Sequence, residues 1–126
     1  MPADAAPEPA LDPAVIADLR RAQDACGNAE FITQLVALFQ ANGPVRLARI
    51  REAVAGGDGA ALGLTAHTLK SNCAMLGATC LAAMCARLER CGDSGALDEA
   101  PGIINAAEAE LARVLTALET LLERNQ

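Results

Sequence analysis

The sequence predicts an all-α fold: an up-and-down antiparallel four-helix bundle with a short additional N-terminal helix. Three observations carry this reading. Ala and Leu dominate the 126 residues while Val and Ile are few, and Ala and Leu lose little rotamer freedom in a helix. Apolar residues recur at three- and four-residue spacing in four long segments. Short breaks rich in Gly and Asp join those segments, as antiparallel neighbours in a bundle require.

The elements follow in chain order. Residues 1–10 are rich in Pro, Ala and acid and read as a disordered leader, with one helical domain over residues 11–126. Asp12 then Pro13 reads as an N-cap and first helical residue, starting a helix to about Asp24. Gly27-Asn28 ends it. A long helix runs from about Ala29 to Ala55 on the stripe Ile32, Leu35, Val36, Phe39, Leu47, Ile50 and Val54. Pro44 within it removes a backbone donor, so a kink or short break is expected there. Asp58 caps a third helix to about Leu76, and Gly77 ends it. Thr79 is expected to cap a fourth helix to about Cys91, with stripe Leu81, Met84, Cys85, Leu88 and Cys91. Gly92-Asp93-Ser94-Gly95 reads as a loop. The last helix runs from about Asp98 to Arg124 on Ile104, Ala107, Leu111, Leu115, Leu118 and Leu122.

Composition excludes several function classes. The formal net charge is −6 and the only aromatics are Phe31 and Phe39. Nucleic-acid binding wants a basic stripe and stacking rings, and an anionic membrane surface wants cations, so neither partner is expected. No apolar run reaches the roughly 18 residues of a membrane span, and the N-terminus lacks the basic start and apolar stretch of a signal peptide. A cytoplasmic domain is expected. The five cysteines, Cys26, Cys73, Cys80, Cys85 and Cys91, contain no C-x-x-C and are odd in number. They read as free thiols buried on helices, not as a metal site or disulfides.

His67 is the only histidine. The core stripe of the third helix is Leu62, Ala66, Leu69, Cys73 and Leu76. His67 points about 140° away from it at roughly 100° per residue. The imidazole is therefore expected in solvent. Gly63, Leu64, Lys70 and Ser71 surround it one turn away. Gly63 is costly inside a helix with no turn to justify it, and a flat pad for a partner's approach would explain it. The plainer alternative is an ordinary surface histidine on an Ala-rich helix.

Hairpin arithmetic adds a partner. The third and fourth helices turn near Gly77-Ala78, and positions equidistant from that turn lie side by side. His67 stands ten residues before Gly77, so its level on the fourth helix is Leu88 to Glu89. Leu88 belongs to the core stripe and Glu89 to the flank. A carboxylate there would hold one ring nitrogen protonated and leave the other as an outward nucleophile. The alternative for Glu89 is a solvated charge pairing with Arg87 or Arg90.

The run Ala66-His67-Thr68-Leu69-Lys70-Ser71-Asn72-Cys73-Ala74-Met75-Leu76-Gly77-Ala78 resembles the phosphorylated segment of histidine-containing phosphotransfer (HPt) domains. These carry an A-H-x-L-K-G-S-type run ending in L-G-A, then a helix patterned L-x-x-x-x-x-x-L-E. Leu81 to Leu88-Glu89 matches that helix. One departure is Ser71, where the family usually has Gly. The resemblance implies a phosphorelay intermediate that takes a phosphoryl group on His67 from a receiver-domain aspartate and passes it to another. It makes His67 the phosphoacceptor, Lys70 the cation near the phosphoryl oxygens and Glu89 the partner of the ring. Gly63, Leu64, Ser71, Ala74 and Met75 are the expected receiver-docking residues. The implied partners are response-regulator receiver domains and a hybrid sensor kinase, with the chain a monomer. It implies no cofactor of the chain's own, Mg²⁺ coming with the receiver. No glycine-rich phosphate loop or ATP-binding half is present in the sequence, so autonomous kinase activity is not expected.

Two other readings compete. The dimerisation and phosphoacceptor helices of a sensor histidine kinase carry an acid directly after the histidine and a proline a few residues on. Here Thr68 follows His67, and no proline lies between Pro44 and Pro101. A helical adaptor without phosphoryl chemistry would take no acid-labile label from a phosphorylated receiver.

Overall fold

The computed structural model describes residues 8–124. Five α-helices account for most of them: α1 (Pro13–Cys26), α2 (Phe31–Ala55), α3 (Gly59–Met75), α4 (Thr79–Ser94) and α5 (Ala100–Arg124). A single 3₁₀ turn, Leu97–Glu99, precedes α5.

The helix starts follow local chemistry. The Asp12 carboxylate accepts from the Ala14 N–H at 2.9 Å, with Pro13 opening α1. Asp58 accepts from the Ala61 N–H at 3.0 Å and so caps α3. Thr79, expected as a cap, is instead the first residue of α4. Ala78 precedes it without a side-chain cap.

Neither of two expected breaks in the helices occurs. α2 runs unbroken through Pro44. Pro44 is exposed, so water can serve the carbonyl that loses its donor. α4 continues through Gly92-Asp93-Ser94, where a loop was expected, and ends at Gly95 in the left-handed region at φ 80°. Within this last turn the backbone of Gly92 lies close against that of Gly59 and Gly63 in α3.

Gly77 closes the α3–α4 hairpin at φ 76°. A Cβ there would stand 2.9 Å from the Val15 side chain. The Gly77 carbonyl accepts from the Asp12 N–H at 2.7 Å, which ties the start of α1 to the hairpin.

α2 packs on α3, α3 on α4, α4 on α5 and α5 back on α2, closing a cycle around one core. Its centre is Ile32, Val36, Ile50, Leu62, Leu69, Leu81, Leu88, Ile104 and Leu118, all nearly inaccessible. The expected stripes supply these residues. Leu35, Val54, Met84, Leu115 and Leu122 lie at their edges, half-buried. α1 packs more lightly, on α2.

Of the expected leader, residues 1–7 lie outside the described residues. Ala10 is buried, and the Glu8 carbonyl accepts from Arg113 at 2.7 Å, so residues 8–10 pack along α5. All five cysteines are free. Cys73, Cys85 and Cys91 are buried as expected. Cys26 is exposed at the end of α1 and Cys80 is half-buried, so burial holds for three of the five.

Candidate functional site

α3 presents His67 to solvent. Its side chain is 56% exposed, whereas Ala66 and Leu69 beside it are fully buried. The side chain turns toward α4. There the His67 Nδ1 lies 3.0 Å from the Glu89 Oε2. The other carboxylate oxygen, Oε1, accepts from the Lys70 Nζ at 2.6 Å. One glutamate on α4 thus bridges two residues of α3, and Arg87 and Arg90 take no part in its ion pairing among the described residues.

The Glu89 pKa is lowered. The Lys70 hydrogen bond is the largest cause, and the His67 bond acts the same way, against a desolvation effect that raises it. Glu89 is therefore ionised at neutral pH. An ionised carboxylate can only accept, so the proton in the His67–Glu89 contact belongs to Nδ1. Nε2 of a neutral ring is then left with a free lone pair.

The neighbouring hydroxyls are occupied on their own helix. Thr68 Oγ1 donates to the Leu64 carbonyl at 3.1 Å, and Ser71 Oγ donates to the His67 carbonyl at 3.2 Å. Among the described residues no three His, Cys, Asp or Glu side chains group in a way that could hold a metal ion.

The expected pad is only partly on the surface. Leu64, Ser71, Ala74 and Met75 are exposed, Leu64 by 71% and Met75 by 53%. Gly63 is not; it is buried in the seam between α3 and α4. A Cβ on it would meet the Asp93 carboxylate at 3.3 Å and the Glu89 carbonyl at 3.9 Å. Gly63 belongs to the helix seam and not to the exposed surface beside His67. Sequence reasoning missed Leu38, which is 60% exposed on α2. Leu38 and Met75 share a groove floored by Leu35, Phe39 and Leu76 and edged by Asn42, Arg46 and Asn72. The available signal was that Leu38 falls off the α2 stripe.

The fold that carries these residues has known relatives. The Hpt domain family model matches residues 34–124. The chain belongs to the Hpt domain family. The crystal structure of histidine-containing phosphotransfer protein B (HptB) from Pseudomonas aeruginosa PAO1 is similar over 94% of this chain and 98% of that one, with a TM-score of 0.83 and 31% sequence identity. A comparison with curated protein sequences found no match. This Hpt domain functions in histidine phosphotransfer within a phosphorelay. None of its described helices is long and apolar enough to cross a membrane.

Proposed function

We propose that His67 is the phosphoacceptor of this Hpt domain and that Glu89 and Lys70 prepare it. One observation carries this reading. The only histidine is solvent-exposed, has its Nδ1 held by a carboxylate and has no hydrogen-bond partner on Nε2 among the described residues.

The Nε2 lone pair attacks the phosphorus of a receiver's aspartyl phosphate. The N–P bond forms as the P–O bond to the aspartate breaks, and the receiver regains its carboxylate. The proton stays on Nδ1, donated in a hydrogen bond to Glu89, whose negative charge offsets the positive charge that the ring gains. Lys70 lies beside the same carboxylate, one turn from His67, and can turn to the incoming phosphoryl oxygens. The reverse step delivers the group to a second receiver. Mg²⁺ in this scheme is held by the receiver's acidic residues.

The docking face comprises Leu64, Ser71, Ala74 and Met75 on α3, extended by Leu38 on α2. A modest apolar surface around a reactive group suits a brief encounter. The partners are receiver domains, one of them on a hybrid sensor kinase, and the chain acts as a cytoplasmic monomer. The closed cycle of contacts among α2, α3, α4 and α5 supports an up-and-down antiparallel four-helix bundle, with α1 added outside it.

The test is transfer from a radiolabelled, phosphorylated receiver. The wild-type chain should take acid-labile, base-stable label and His67→Gln should take none. Equal labelling of the two proteins would overturn the assignment.

A further inference from the structure

We propose that Gly92 is a positioning residue for phosphoryl transfer, because its missing side chain lets α4 come close enough to α3 for Glu89 to reach His67. The inference deepens the reading of His67 as phosphoacceptor and rests on it.

Gly92 lies within α4, where glycine is a poor helix former and no turn requires it. Its surroundings supply the reason. A Cβ on Gly92 would stand 2.6 Å from the Gly63 nitrogen, 2.7 Å from the Gly59 carbonyl oxygen and 2.9 Å from the Gly63 Cα. All three atoms are backbone and cannot rotate aside. The nearest falls more than half an ångström short of an ordinary contact at 3.4 Å. Any side chain at Gly92 must therefore part the two helices or slide one along the other.

The contact sits one turn from the site on both helices. Gly92 follows Glu89 by three residues, and Gly63 precedes His67 by four. The Glu89 carbonyl itself lies 3.9 Å from where a Gly63 Cβ would be. The spacing at Gly92 thus sets the distance from the Glu89 backbone to α3. The Glu89 Oε2 now stands 3.0 Å from Nδ1, an ordinary hydrogen-bond length set with the two helices at this spacing. A shift of about half an ångström takes it to the limit of a hydrogen bond. The clash at Gly92 demands at least that much. Leu62 and Leu69 on α3 and Cys85 and Leu88 on α4 are fully buried and apolar, so a small parting of the helices leaves the core covered.

The experiment compares Gly92→Ala with wild type and with Gly102→Ala in α5, where an added Cβ meets nothing within 4 Å. The first readout is the ¹⁵N shift pair of the His67 ring, which reports the tautomer without any phosphoryl donor. The second is the transfer rate from a phosphorylated receiver at saturation, separated from the half-saturating receiver concentration. Gly92→Ala should lose the Nδ1–H bias and slow saturated transfer roughly tenfold. Half-saturation should stay unchanged, and Gly102→Ala should match wild type in both readouts. A folded Gly92→Ala protein with the wild-type tautomer overturns the proposal. If Gly92→Ala does not fold, the tautomer is read in Gly59→Ala, whose Cβ would press on the Gly92 carbonyl at 3.0 Å. A wild-type tautomer there overturns the proposal equally. Failure of the wild-type chain to accept label sinks the phosphoacceptor reading instead, a result distinct from either tautomer outcome.

Discussion

Glu89 on α4 holds His67 on α3 by a 3.0 Å contact between Oε2 and Nδ1, across 22 residues of sequence. The pair exists because both residues stand at one level of an antiparallel hairpin closed by Gly77. Glu89 is less exposed than His67, at 22% against 56%, so the carboxylate is the fixed member and the imidazole the presented one.

His67→Gln should remove all acid-labile label and leave the fold intact. The side chain is mostly in solvent and belongs to no buried cluster, so the stability change should stay within about 0.5 kcal/mol. Labelling assays and urea denaturation of the same preparation check both parts.

Glu89→Ala and Lys70→Ala should each slow transfer, by roughly ten- to a thousandfold. Their effects should not add, because both remove the 2.6 Å Lys70–Glu89 bond. Lys70→Ala is expected to cost more rate, since its contact with the phosphoryl group grows during transfer. A double-mutant cycle on single-turnover rates measures the coupling. Fully additive losses would show that Lys70 acts apart from Glu89.

Gly63 and Ser71 should separate packing from docking. Gly63→Leu forces a side chain into the α3–α4 seam and should destabilise by about 1–3 kcal/mol. Ser71→Arg lies on the exposed face and should leave the unfolding midpoint almost unchanged while weakening receiver binding. Denaturation midpoints and receiver titrations of the two variants distinguish the roles. A stable Gly63→Leu protein would contradict the close seam.

The stability that Glu89 contributes should depend on pH with a defined sign. Its folded pKa is depressed by Lys70 and His67 below the ordinary 4.5. The contribution is therefore fully present above about pH 4.5 and is lost as pH falls through the lower folded value. The gap in urea midpoint between wild type and Glu89→Gln should narrow below pH 4.5. A gap that stays constant down to the acid transition would mean that Glu89 is not held in its charged form.

Leu38→Ser and Met75→Ser should raise the half-saturating receiver concentration without slowing transfer at saturation. Both side chains are exposed and share one groove, and neither touches the ring of His67 through a hydrogen bond. A fall in the saturated rate with unchanged half-saturation would place them in the chemistry instead of the encounter.

Periodicity alone determined much of this protein. The apolar stripes located the helices and their buried faces, since a 3.6-residue repeat fixes direction around a helix axis. The same wheel put His67 outward, and counting from Gly77 put Glu89 at its level, because an antiparallel hairpin pairs equal distances from its turn. Distances between helices are not written in any one helix. Only tertiary packing brought Gly92 against Gly59 and Gly63 and withdrew Gly63 from the surface. It also gave Lys70 to Glu89, because a four-carbon side chain can swing to any carboxylate within reach and a wheel shows only where it starts. Leu38 joined the groove beside Met75 for a related reason. The wheel left it off the α2 stripe, but which neighbour it would meet depended on how α2 lies against α3.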